Sequence, residues 1–136
     1  MKNYTKNYLQ GILRDYPQFD FKIEKRKASL LNPDTVEIDE NIGGTSGNSV
    51  GSPVERIATA IADDEEIAIL ESYQKAIKEI LNRSDATTRD VIRLRYFEKQ
   101  LKQDDVSKEL GVTIATVRIL EIQYIKKLAR KMKLMR

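Results

Sequence analysis

Residues 103–122 limit what this chain can fold into more than any other stretch. Val106 and Leu110 have helical spacing before Gly111, and Val117 and Leu120 have it after. A turn tight enough to reverse a helix over so few residues favours positive φ, which glycine adopts freely. Val112 fills the corner. Thr113 can cap the second helix, and the small Ser107 lets the two helices approach. Together these positions describe one crossing geometry, the helix-turn-helix. A second helix would run on well beyond it, with Val117, Leu120, Tyr124 and Leu128 within about 40° of a common face at 100° per residue.

The rest of the chain reads as helical too, and no segment carries a convincing strand pattern. Tyr4, Tyr8, Leu9, Ile12 and Leu13 suit one face of a short helix. Pro17 breaks it and can open a second, over residues 17–31, with Phe19, Ile23, Lys27 and Leu30 on one side. Residues 41–52 hold four Gly and three Ser. They offer little to bury and lose much entropy on ordering, so a flexible loop is expected there. Ser52, Pro53 and Glu55 form a capping box that should start a helix. The acidic run Asp63-Asp64-Glu65-Glu66 either interrupts and re-caps that helix or binds a divalent cation. Carboxylates at a helix start account for it more simply. Asn82-Arg83-Ser84-Asp85 ends the helix. Thr87-Thr88-Arg89-Asp90 supplies the next cap, for a helix running to about Glu98. The expected organisation is an all-α protein with a helical segment at 1–40, the loop at 41–52 and a helical domain at 53–136. The helix-turn-helix occupies 103–132 of that domain.

Composition narrows function before any site is assigned. The chain has no Cys and no His, which excludes disulfide scaffolds, thiolate metal sites and His-based triads. Only Asp63–Glu66 offers a conceivable catalytic group, so neither an enzyme nor a cofactor is expected. No apolar run approaches the roughly 18 residues that span a bilayer, and no secretory signal is expected from the N-terminal residues. A cytoplasmic protein with no membrane partner follows as the expectation. Charge is uneven: residues 1–40 are neutral, 41–82 carry net −4, and 83–136 carry net +7. The basic part coincides with the helix-turn-helix, which points to a polyanionic partner.

In such motifs the second helix enters the major groove of duplex DNA, led by its N-terminal residues. Arg118 is the candidate for bidentate guanine reading. Thr113 and Thr116 can bond phosphate or base edges. Gln103, at the start of the first helix, is placed to touch a backbone phosphate. Ala115, Ile119, Ile122 and Gln123 share the outward face, and apolar Ile114, Ala115, Ile119 and Ile122 can meet thymine methyls or a protein partner. Lys126, Lys127, Arg130 and Lys131 are expected to neutralise phosphates without reading sequence.

Two resemblances extend this reading. The run from Arg89 to Glu98, then Gly111-Val112-Thr113, Val117-Arg118, Glu121 and Lys127-Leu128, resembles region 4 of sigma-70-type factors. The match covers about residues 84–132 and implies a four-helix promoter-reading unit. A wider pattern covers nearly the whole chain: Asp15-Tyr16-Pro17, Asn41-Ile42-Gly43-Gly44, Pro53-Val54-Glu55, and Arg95-Tyr96-Phe97 before the helix-turn-helix. It is similar to the RinA and ArpU-type phage transcriptional regulators. That resemblance implies a promoter-binding activator of late phage genes for packaging and lysis, acting in a bacterial host. Host RNA polymerase and a second copy of the chain are the further partners to weigh. The rival from another class is the DNA-recognition or assembly subunit of a phage packaging machine, with residues 53–82 making oligomer contacts.

Overall fold

The computed structural model describes residues 1–31 and 53–134. Every regular element among them is helical, as the sequence pattern predicts. The glycine-rich loop at 41–52, the Ser52 cap, the Asn-Ile-Gly-Gly stretch and the boundaries at 40 and 52 lie outside the described residues. Helix α1 (Asn3–Asp15) leads through a 3-10 turn (Tyr16–Gln18) carrying Pro17 into α2 (Phe19–Leu31). After the undescribed stretch come α3 (Pro53–Asp63) and α4 (Glu65–Arg83). Helix α5 (Ala86–Ile92) continues into a π-helical turn (Arg93–Phe97), followed by α6 (Gln103–Leu110) and α7 (Ile114–Lys131). No helix among the described residues is long and apolar enough to cross a membrane.

The chain groups into two compact units. One joins Met1–Phe19 to Ser72–Arg136, and the other is Asp20–Glu71. The first unit holds most of the core. Val91, Leu94, Val106 and Val117 are buried at the crossing of α5, α6 and α7, with Leu101, Leu110, Val112 and Leu120 packed around them. Leu9, Leu13, Ile77, Ile92, Tyr96, Tyr124, Ile125 and Leu128 are also fully buried. Each such side chain contributes about 1.5–3 kcal/mol. Helix α1 packs on α7, which gives α7 a wider buried face than the Val117–Leu120–Tyr124–Leu128 stripe predicts. Glu121, Ile125 and Ala129 are buried as well, while Leu120 is only half-buried. On α1 the buried side is Thr5, Leu9, Ile12 and Leu13. Tyr4 and Tyr8, expected on that face, are exposed; Tyr8 shares a hydroxyl–hydroxyl hydrogen bond with Tyr73.

Polar groups close the helix ends. Ser84 Oγ donates to the Ile80 carbonyl at 2.7 Å, and Tyr124 Oη donates to the Ile77 carbonyl at 3.1 Å. Burial pushes the Tyr124 hydroxyl well above its ordinary range. The cap of α5 is Asp85, which accepts the Thr88 N–H at 2.8 Å. Thr87 and Thr88, read from sequence as the cap, lie inside the helix. The helix expected to reach Glu98 changes character after Ile92: the Glu98 N–H donates to the Arg93 carbonyl at 2.9 Å, the five-residue spacing of a π turn.

In the second unit Ile23 and Ile67 are buried. Asp64, between α3 and α4, caps α4 by accepting the Ile67 N–H at 2.9 Å. Its other oxygen accepts Arg26 Nε at 3.0 Å and Nη2 at 2.7 Å. The Arg26 hydrogen bonds hold the Asp64 carboxyl below the usual carboxylate range. The acidic run is thus a helix start with an arginine partner, and no acidic cluster among the described residues is arranged to hold a metal ion.

Candidate nucleic-acid interface

The turn between α6 and α7 is built as its residues dictate. Gly111 ends α6 in the left-handed region at φ 68°, and its N–H returns to the Ser107 carbonyl. Ser107 does more than stay small. Its carbonyl also accepts the Val112 N–H at 3.2 Å, and its hydroxyl donates to the Val112 carbonyl. These reciprocal bonds lock the corner residue to α6. Thr113 then caps α7: its Oγ1 accepts the Thr116 N–H at 3.1 Å and lies 2.9 Å from Thr116 Oγ1. Both threonine hydroxyls read as candidate DNA contacts therefore meet each other at the first turn of α7.

The remaining candidates divide around the helix. Ala115, Arg118, Ile119, Gln123 and Arg130 are exposed, with Ile119 53% accessible. Ile114, Thr116 and Lys126 are half-buried. Lys126 and Arg130 lie within about 80–120° of Arg118 on the helical wheel, whereas Lys127 and Lys131 fall about 140–180° away. Lys131 Nζ pairs with Glu79 Oε2 of α4 at 2.6 Å. Lys127 lies near enough to Asp85 to help lower its carboxyl. With Ile80 and Arg83, the residues Lys127, Arg130 and Lys131 line a concave basic surface at the end of α4. Three of the four basic side chains grouped by sequence thus share one surface, and Lys126 is not among its lining residues.

Gln103 has a different setting from the one expected. Its side chain is half-buried between two neighbours: Nε2 donates to Glu121 Oε2 at 3.0 Å, and Oε1 accepts Arg118 Nε at 3.2 Å. Glu121, only 2% exposed, is the residue that sequence reading left without a role. Its Oε1 accepts Arg95 Nε at 2.8 Å and the Tyr96 hydroxyl at 3.0 Å. The wide π turn lets these adjacent side chains converge on one oxygen. Arg95 Nη1 also donates to the Leu101 carbonyl at 3.0 Å, tying the segment before α6 to the same network. Burial, and then the nearby carboxylate, push the Tyr96 hydroxyl well above its ordinary range. Among the described residues, no buried side-chain polar atom lacks a hydrogen bond. The wheel offered a signal for Glu121, because it lies about 40° from Val117, at the edge of the apolar stripe.

A family model described as "Protein of unknown function (DUF722)" matches residues 6–131. The chain belongs to the DUF722 family. The family match takes in α1 through α7, so the helix-turn-helix and the Glu121 network both lie within it. No curated protein and no solved structure matches the chain.

Proposed function

We propose that this protein binds duplex DNA sequence-specifically through α6 and α7, without catalysis, and acts as a transcriptional regulator. The observation that carries the reading is the coincidence of two features. The α6–α7 turn has helix-turn-helix geometry, with Gly111 left-handed and Thr113 capping α7. The pair lies within the chain's cationic stretch, net +7 over residues 83–136. Arg118 reads a base edge from the first two turns of α7, and Lys126 and Arg130 contact phosphates further along. On the resemblance to RinA and ArpU-type regulators, the target is a late-gene promoter of a phage or prophage, in the cytoplasm of its bacterial host. Host RNA polymerase is the second partner, and a homodimer is the form that binds. The test is to footprint the purified full chain on the surrounding phage DNA, then assay transcription from the protected promoter with host polymerase. Protection of a discrete site with increased transcription is expected; absence of any protected site at low salt overturns the proposal.

One observation favours a second reading, an assembly subunit that recognises DNA for packaging. Helix α3 buries none of its residues, and Val54 is 74% exposed. A ring-like oligomer in sedimentation would favour it, whereas a monomer or dimer that protects promoter DNA favours the regulator.

A further inference from the structure

We infer that Gln103 is a positioning residue for DNA reading: its side-chain amide, oriented by buried Glu121, holds Arg118 ready for a guanine edge. This rests on the DNA-binding proposal above and adds the group that sets base selectivity within it.

The chain of contacts runs from the core outward. Glu121 has little freedom, since Arg95 and Tyr96 share its Oε1 and Gln103 takes its Oε2. The carboxylate accepts only, so it must face the amide NH2 of Gln103. That leaves Gln103 Oε1 pointing toward Arg118, whose Nε donates to it at 3.2 Å. Turning the amide over would set its carbonyl against the carboxylate and its NH2 against the guanidinium. Both contacts would be repulsive, so a single orientation satisfies both neighbours. The buried charge thus fixes the direction of a surface dipole.

The consequence falls on Arg118. Held through Nε, its guanidinium has both Nη groups without a hydrogen-bond partner among the described residues, and these are the donors that match O6 and N7 of guanine. An arginine anchored before contact loses less conformational freedom on binding than one moving freely. Gln103 and Arg118 do not close the core at this crossing; Val106 and Val117 do. The Gln103–Arg118 contact is exposed, so breaking it should leave the fold intact.

The test uses the full chain and a duplex that the wild type selects from a random-sequence library, with a scrambled duplex as control. Three variants are compared: Arg118→Ala, Gln103→Met, which keeps length without the amide, and the double variant. Each single variant should lose preference for the selected duplex by about tenfold. The double variant should lose no more than Arg118→Ala alone, and affinity for the scrambled duplex should not change. Without DNA, the Arg118 Nε–H NMR signal should be ordered in the wild type and mobile in Gln103→Met, which should still unfold cooperatively, at a lower temperature because Glu121 Oε2 loses its donor. Additive losses, or an unaltered preference in Gln103→Met, would overturn the inference and leave DNA binding standing. Failure of the wild type to bind any duplex at low salt would remove the proposal and this inference together. Equal losses on both duplexes would make Gln103 and Arg118 phosphate contacts and also overturn it.

Discussion

Two helix pairs with similar beginnings end differently. Helices α3 and α4 meet at Asp64, and helices α6 and α7 meet at Gly111, Val112 and Thr113. Each second helix opens on a side-chain cap, from Asp64 to the Ile67 N–H at 2.9 Å and from Thr113 to the Thr116 N–H at 3.1 Å. Capping therefore does not decide whether a pair folds on itself. The turn does. Gly111 at φ 68° and the Ser107–Val112 clamp reverse the chain, and Val106 and Val117 are buried together. In the first pair α3 shows as clear an apolar stripe, Val54, Ile57 and Ile61, yet buries none of its residues. Periodicity shows that a helix has an apolar face. The residues of the turn show what that face can meet.

The strongest way to break this contrast is to remove the buried carboxylate that ties α7 to the π turn. Glu121→Ala leaves Arg95, Tyr96 and Gln103 without their acceptor and should cost about 3–5 kcal/mol in denaturant unfolding. A loss below about 1 kcal/mol would mean that apolar packing alone holds the crossing. Next comes a paired truncation. Leu128→Ala, in the fully buried face of α7, should cost about 2–5 kcal/mol. Val54→Ala on α3 should stay within about 0.5 kcal/mol. Equal effects in thermal melts would show that α3 is packed after all.

A glycine pair sharpens the role of the turn. An added Cβ meets nothing within 4 Å at either Gly111 or Gly11, so only backbone conformation separates the two sites. Gly111→Ala should destabilise by about 1–2 kcal/mol because of its left-handed φ. Gly11→Ala, within α1, should stabilise by about 0.5–1 kcal/mol. The smallest effect concerns the Asp64 junction. Its carboxyl is held below the ordinary value of 3.8 in the folded state, chiefly by the hydrogen bonds from Arg26. Its contribution is therefore complete above that value and is lost as pH falls through the lower folded value. Melting temperatures across the acid range should show that Asp64→Asn lacks this part of the acid-side decline; an identical pH profile would remove Asp64 from the account.

Much of this molecule was legible from local chemistry. Gly111, Val112 and Thr113 each have one good use in a tight helix junction, and Pro53 begins a helix where expected. What stayed hidden depends on contacts distant in sequence. The second buried face of α7 exists because α1 returns to it, and no local pattern around Ile125 or Ala129 announces that. The position of Gln103 at a helix start is visible in the sequence, whereas its hydrogen bond to Glu121, 18 residues on, is not. Thr87-Thr88 resembles a cap as closely as Asp85 does, and only the hydrogen bond from the Thr88 N–H to Asp85 separates them. The basic surface that Lys127, Arg130 and Lys131 share with Arg83 needs the end of α4 beside α7, which no local pattern announces.

The central claim is that the α6–α7 pair, with its reversing turn, reads duplex DNA. Amide NMR spectra of the full chain, titrated at low salt with the duplex selected by the wild type, test it most directly. The account predicts shifts concentrated at residues 113–123 and in the side chains of Gln103 and Arg118, with α3 unmoved. No shift on adding duplex, or shifts confined to α3, would contradict it.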